Sequence, residues 1–374
     1  MTYINNIDSA ELYIIKLPLA EPFETSLEVE THKEALLLKL TSEDEDGWGE
    51  CVASPDPYYS YETNKTALSI IRSYLLPLIM KRKNFSIDEI LQTFERIRGH
   101  NMAKATVENA LLDLLARKQG LPLYELIGGE KKDIMSGISI GIKDDVSELL
   151  QSIEQALMKK YHRIKIKIKK GKDILPVKQV RRSFPDIKLM VDANTDYSID
   201  DITILKQLDE YNLMMIEQPL AHDDIYLHSL IQKELRTPIC LDESISNLND
   251  AKTAISLGSC RIINIKQGRV GGILNAKMIQ NYCNDNDIEV WSGGMLETGI
   301  GRAFNIHLQT LPGFTLPGDT SETSRYFKED IVEPSVVLRT DGYIDIPEGP
   351  GTGVQIIPDN FDRFTVFSEK INGD

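Results

Sequence analysis

RIKIKIKKGKDILPVKQVRRSFPDIKLMVD, residues 163–192, reads as a strand, a helix and a second strand. Its first part alternates Ile164, Ile166 and Ile168 with Lys165, Lys167 and Lys169. That period of two puts successive side chains on opposite faces of a strand. The second strand, Lys188–Val191, is followed at once by Asp192, 25 residues after Lys167. The same period continues down the chain. Glu217 follows Leu213–Ile216, Asp242 follows Pro238–Leu241 and Lys266 follows Arg261–Ile265, at further intervals of 25, 25 and 24. Strand candidates Met135–Ile140 and Ile288–Trp291 extend the series on either side, and Phe314–Leu316 is a weaker eighth. Helices such as Val146–Lys160, Ile199–Tyr211 and Asn249–Leu257 fall between them. Strands alternating with helices build parallel βαβ units, and seven or eight of them suggest a closed α/β barrel. Spacing alone leaves an open doubly wound sheet as the alternative.

The ladder puts one ionisable group at the C-terminal end of each of five successive strands, where parallel barrels build their active sites. A single strand-terminal acid is more often a helix cap or a solvated loop residue. Five in register are harder to explain that way, because unpaired charge is rare inside proteins. The carboxylates of Asp192, Glu217 and Asp242 form an oxygen-only set that suits a hard divalent cation such as Mg²⁺. The lack of clustered His and Cys weighs against zinc. Asp192-Ala-Asn194-Thr-Asp196 begins like a calcium loop, but Tyr197 and Thr203 occupy the positions that need Gly and Glu. In a barrel strand the lysine face points inward. There, burial and neighbouring cations are expected to lower an ammonium toward neutrality, as a general base requires. Lys165 beside Lys167, and Arg269 beside Lys266, supply those neighbours. A carboxylate held by the cation would lose its α-proton to one lysine as charge flows into an enediolate. The second lysine would protonate the opposite face or stabilise the anion.

Outward from this core, the first hundred residues read as strands followed by helices. Glu11–Leu19 and Glu34–Leu40 are strand-like, and the acidic stretch Ser42–Gly47 is a hairpin turn that resumes at Trp48. Ser86 and Glu89 form a capping box that opens a helix to about Arg98. A second helix, Ala105–Lys118, carries Val107, Leu111, Leu114 and Leu115 on one stripe and stops at Gly120. After Asp330 the text returns to strands and loops with no helix partner, so this tail is expected to pack back on the first module. GPGTG at 349–353 is a turn, since no strand-to-helix context surrounds it. The six histidines are scattered and read as structural.

Whole-chain properties narrow the function classes. With 374 residues, one large domain and a smaller one are expected. The net charge of −15 argues against a nucleic-acid or anionic-membrane binder. No apolar run approaches the roughly 18 residues of a membrane span. The start lacks the basic and apolar regions of a signal peptide, and the four cysteines show no CxxC spacing. A soluble, reduced, cytoplasmic protein is expected.

KIKIK at 165–169, VDAN at 191–194, IEQP at 216–219, LDES at 241–244 and INIKQGRVGG at 263–272 resemble the enolase superfamily, in its muconate-lactonising-enzyme subgroup. WSGGMLETGIGRAFN at 291–305, LPGDTS at 316–321, GHNMAKATVENALLDLLA at 99–116 and SIGI at 139–142 narrow the resemblance. They point to the branch of o-succinylbenzoate synthases and N-succinylamino acid racemases. The resemblance implies an α/β fold: a modified (β/α)₇β TIM-like barrel over residues 131–325 with an α+β capping domain at 1–130. The segment 326–374 would pack on the capping domain. It implies Mg²⁺, with Mn²⁺ as a substitute, on Asp192, Glu217 and Asp242, supported by Asn194 and Glu243. Lys167 and Lys266 would be the acid/base pair, flanked by Lys165 and Arg269. PFETS at 22–26, ending in Ser26, resembles a loop that closes over substrate. Ser139, Gly294, Met295 and Leu296 resemble substrate-contacting positions.

The implied substrate is a small carboxylate bearing a succinyl group, in a homo-oligomeric enzyme. One implied reaction dehydrates 2-succinyl-6-hydroxy-2,4-cyclohexadiene-1-carboxylate to o-succinylbenzoate for menaquinone synthesis. The other racemises N-succinylamino acids, and one protein can do both. The absence of DxD on the last strand weighs against dipeptide epimerases. The absence of a strand-end histidine weighs against acid-sugar dehydratases. A metal-binding module without catalysis is disfavoured by the intact lysines. Phe304 stands where relatives often carry His or Ala, and is expected to alter the pocket wall.

Overall fold

Apolar alternation near the N-terminus folds into three antiparallel strands, β1 (Ser9–Glu24), β2 (Val29–Ser42) and β3 (Glu45–Cys51). The computed structural model describes residues 3–26 and 28–373. The C-terminal strand Thr365–Asn372 pairs antiparallel with β1, so the tail does return to the first module. It is not free of helix, however. Pro358–Phe364 forms one, with proline in its first turn, where a missing N–H costs nothing. The Ser86 and Glu89 capping box forms in full, but its helix ends at Phe94 rather than near Arg98.

The helix Asn101–Gln119 lies against this sheet and ends at left-handed Gly120. The expected apolar stripe is only part of its surface. Glu108, Asn109 and Asp113 are buried on the remaining faces, because other elements cover the helix on all sides. Contact with β3 is close enough to require glycine. A Cβ on Gly49 would sit 2.1 Å from the Thr106 carbonyl oxygen, and one on Gly47 would sit 2.2 Å from that of Ala110.

The predicted strand Met135–Ile140 breaks at Ser136. Its first part, β4 (Asp133–Met135), pairs antiparallel with Tyr343–Asp345. Its second, β5 (Gly137–Ile140), opens a parallel series: β6 (Arg163–Lys167), β7 (Leu189–Asp192), β8 (Ile216–Glu217), β9 (Ile239–Leu241), β10 (Ile262–Ile265) and β11 (Glu289–Ser292). Phe314–Leu316 is not a strand, and the neighbouring Pro312 and Pro317 lack the N–H groups that would extend a ladder. The segment still fills the eighth place. Phe314 bridges Val290, the Gly137 N–H donates to the Gly318 carbonyl at 2.8 Å, and the Asp319 N–H donates to Ser292 at 2.9 Å. The ring is therefore closed, which removes the doubly wound alternative. The expected helix Ile199–Tyr211 is α-helical only over Ile202–Leu208, with 3₁₀ turns on both sides.

Buried carboxylates of the first module cap helices of the barrel. Glu108 accepts the Leu274 N–H at 2.8 Å at the start of Ile273–Asn284, a helix whose own N-cap is Gly272. Glu50 accepts from the N–H groups of Thr298 and Gly301 at the start of Gly299–Gln309. Free N–H groups and the positive end of each helix dipole favour an anion there. His307 joins the same interface. Its Nδ1 accepts the Tyr124 N–H at 3.2 Å, so its Nε2 donates to the Thr352 carbonyl at 3.0 Å. Burial pushes this imidazole down to about 4. The unfolded chain binds a proton near pH 6.5 that the folded chain refuses, so stability is lost as pH falls from 6.5 toward 4. About 3 kcal/mol of the loss in urea-denaturation free energy over that window should be absent in His307→Gln.

Candidate active site

Each rung of the predicted ladder reaches the barrel mouth. Lys167, Asp192 and Glu217 end β6, β7 and β8, with Lys167 opposite Asp192 and Asp192 opposite Glu217 in register. Asp242 and Lys266 follow β9 and β10 directly. In a ring of eight places β6 and β10 are four apart, so Lys167 and Lys266 face each other across the mouth. The three carboxylates occupy the arc between them.

All three carboxylates are buried. Lys167 donates to Asp192 Oδ2 and to Asn194 Oδ1, each at 2.6 Å. Lys165 reaches Glu217 at 3.1 Å, Asp192 at 3.5 Å and Asp319 at 2.5 Å. Lys266 donates to Asp242 at 2.9 Å, and Arg269 pairs with the other oxygen of that carboxylate. Asn264 donates to Glu217 at 2.7 Å, and Asn194 donates to Glu243 at 3.1 Å. Among the described residues, no three His, Cys, Asp or Glu side chains converge as a ready-made cation cage. Each ladder carboxylate is instead bonded to a lysine.

The charges are unevenly satisfied. Burial pushes Glu217 up to about 8, and the nearby Asp192 charge adds to the rise. Burial and the charge of Asp242 push Glu243 to about 8 as well, and its Oε2 has no hydrogen-bond partner. Burial alone would raise Asp242, but Arg269 and Lys266 outweigh it and hold it well below the usual range. The expectation that burial lowers a general-base lysine is overturned for Lys266. Burial does pull Lys266 down, yet Asp242 and Tyr59 outweigh it and hold it well above its ordinary value. Asp319, Glu217 and Asp192 do the same for Lys165. An oxygen-only donor set on adjacent strand ends, with Glu217 pushed up chiefly by burial and further by the Asp192 charge, fits a hard divalent cation.

Above these groups lies an open cavity of about 870 Å³, a volume that includes open solvent at its mouth. Lys165, Lys167, Asn194, Lys266, Ser139, Gly294, Met295 and Leu296 line it, as the sequence suggests. Asp192, Glu217 and Asp242 are buried and bonded to the lysines that line it. Arg269 and Glu243 face a second groove beside Tyr59 and His222. Ser26 donates to the Asn194 carbonyl at 3.1 Å, while its neighbours Phe23 and Thr25 line the cavity. Leu27 lies outside the described residues. Phe304 does not reach the cavity wall: it is fully buried in the core, so the expectation for it fails.

Several lining residues escape sequence reasoning. Tyr59 sits with Lys266 over its ring at 4.7 Å and accepts a hydrogen bond from that ammonium at 3.0 Å. Nothing in the surrounding PYYSYE marks it. Asp319 binds Arg163 at 2.7 Å as well as Lys165, and Trp291 packs 4.8 Å from each cation. The LPGDTS and GRAFN runs were the available signals for Asp319, Arg302 and Asn305. Lys33, on β2, donates to the Met295 carbonyl at 3.0 Å and so ties the first module to the 294–296 turn, where Leu296 is left-handed.

Two family models match the chain. "Mandelate racemase / muconate lactonizing enzyme, N-terminal domain" matches residues 9–128, and "Enolase C-terminal domain-like" matches residues 148–360. An o-succinylbenzoate synthase of Geobacillus stearothermophilus is 46% identical over 365 residues, 97% of both chains. An N-succinylamino acid racemase of Amycolatopsis is 41% identical over 360 residues, 96% of this chain and 97% of the relative. A crystal structure of an enolase-superfamily member from Listeria innocua superposes with a TM-score of 0.95 at 42% identity, covering 99% of this chain and 100% of that one.

Proposed function

The chain belongs to the enolase superfamily, and from that premise we propose that it is an o-succinylbenzoate synthase, a carbon–oxygen lyase that dehydrates 2-succinyl-6-hydroxy-2,4-cyclohexadiene-1-carboxylate. The observation that carries this reading is one cavity lined by Lys167 and Lys266 from opposite places in the ring, with the strand-end carboxylates Asp192 and Asp242 bonded to them.

A divalent cation on Asp192, Glu217 and Asp242, Mg²⁺ in this reading with Mn²⁺ as its substitute, would neutralise those carboxylates, release the lysines from them and polarise a substrate carboxylate. Lys167 Nζ takes the α-proton. As an ammonium it then gives a proton to the departing hydroxide, which leaves as water and completes the aromatic ring. Lys266, on the opposite side, places positive charge against the negative charge that develops on the substrate. Asn194 orients Lys167, and Tyr59 and Arg269 hold Lys266 and Asp242 in place. Ser139 and the 294–296 turn contact the substrate, and Phe23 and Thr25 of the loop above exclude water.

A second reading is favoured by the same opposition of lysines. Groups on two faces of one carbon can move a proton from one face to the other, which is racemisation of an N-succinylamino acid. Solvent deuterium should then enter the α-position from either enantiomer; absence of exchange from both would remove this activity. Among the described residues no helix is long and apolar enough to cross a membrane; we further propose that the enzyme is cytoplasmic and a homo-oligomer. For the metal, stripping with a chelator should abolish dehydration, and added Mg²⁺ should restore it. Full activity in chelator would contradict the role given to the three carboxylates.

A further inference from the structure

Apart from Lys33, which donates to the Met295 carbonyl and does not line the cavity, Arg302 differs from the other cations buried at the barrel mouth. Arg163, Lys165, Lys167, Lys266 and Arg269 each form an ion pair with a carboxylate. Arg302 is only 3% exposed and lines the cavity, yet among the described residues no carboxylate lies within ion-pair distance of it. Its guanidinium donates to the Glu297 carbonyl at 3.1 Å and, weakly, to Thr323 Oγ1 at 3.5 Å. It lies over the rings of Tyr326 and Phe327 at 5.4 and 5.7 Å. The Glu297 carboxylate is committed elsewhere, to the Met295 N–H and the Asn305 amide, both at 2.9 Å. A second group in the same cavity is also unsatisfied. Ser139 Oγ is buried and has no hydrogen-bond partner.

Burying a charge without a counter-charge costs several kcal/mol, and carbonyls and ring faces offset only part of that. A guanidinium kept in this condition inside a cavity is matched to an anion that arrives from outside. We propose that Arg302, together with the Ser139 hydroxyl, anchors the distal carboxylate of a two-carboxylate ligand, the succinyl tail, while the other carboxylate lies among the lysines. The planar guanidinium can take a carboxylate through two parallel N–H donors, which fixes the direction of the tail as well as its charge. The identification of the tail as succinyl rests on the synthase reading above; the anion site itself does not.

The test is direct binding to Mg²⁺-loaded protein, measured by calorimetry. The two ligands are 2-succinylbenzoate and 2-butanoylbenzoate, in which a methyl group replaces the distal carboxylate. A hydrogen bond to a charged group contributes about 1.5–3 kcal/mol, so wild type should prefer the dicarboxylate by roughly 10- to 150-fold. Arg302→Met should bind the two ligands within about threefold of each other, and Arg302→Lys should regain part of the preference. Equal binding by wild type overturns the proposal, even if the methionine variant fails to fold. So does a methionine variant that weakens both ligands alike, since that marks Arg302 as only a support for the Glu297 turn. Preference for the dicarboxylate in a protein that does not turn over the cyclohexadiene would leave the anion site standing and remove the synthase reading.

Discussion

Lys167→Ala is expected to lower kcat for dehydration by about 10⁴-fold, the upper end of what a positioned general acid–base group supplies, because the same nitrogen both takes the α-proton and returns one to the leaving hydroxide. The side chain lies at the end of β6, bonded to Asp192 and Asn194, and lines the cavity. Its removal leaves the strand ladder untouched, so circular dichroism and the urea midpoint should stay close to wild type. The loss should fall on kcat more than on KM, since substrate is held mainly by groups other than Lys167. A folded variant with near-wild-type turnover would remove Lys167 from the chemistry. Lys266→Ala separates the two activities. If Lys266 acts only as a positive charge in dehydration, that variant should retain more dehydration than racemisation.

The second large effect is on stability. Gly49→Ala should destabilise the fold by about 3 kcal/mol, at the high end for overpacking, read as a lower urea midpoint with an unchanged slope. The new Cβ would meet the Thr106 carbonyl oxygen at 2.1 Å and the Ala110 nitrogen at 3.0 Å, all backbone of one helix. Backbone atoms of a helix cannot move aside singly, so the strand and the helix must separate. Gly120→Ala serves as the contrast. Space there is open and only the positive φ of 66° opposes a side chain, so about 1 kcal/mol is expected. Equal costs at the two sites would show that packing between β3 and the helix is looser than described.

Much of the catalytic barrel could be read in the sequence because its period is regular. Lys167, Asp192, Glu217, Asp242 and Lys266 recur at nearly constant spacing, and a parallel barrel turns constant spacing into convergence. The same logic placed Lys165 inside, since alternate residues of a barrel strand point inward. What escaped detection depends on long-range contacts that have no local period. Asp319 is one acid in a loop-like run, and only the closing of the ring beside β5 brings it to Lys165. Tyr59 comes from the first module and meets Lys266 207 residues away in sequence. Glu50 and Glu108 read as ordinary strand and helix residues, because capping across modules leaves no signature in either segment. Phe314–Leu316 resembles a strand in sequence because its apolar residues suit one, while the flanking prolines deny it a ladder. Lys266, contrary to expectation, is held above its ordinary value, as is Lys165, for a related reason. Sequence shows how many cations stand near a lysine, but Asp319 and Asp242 act through distances that only folding sets.

We assign this cavity to the dehydration of a succinyl-bearing cyclohexadiene carboxylate. The most direct measurement is the ultraviolet time course of that substrate with Mg²⁺-loaded protein, beside the same protein stripped by chelator. Rapid, metal-dependent appearance of the aromatic product is the predicted result. Slow or absent conversion by folded, Mg²⁺-loaded protein would contradict the claim and transfer the site to N-succinylamino acid racemisation.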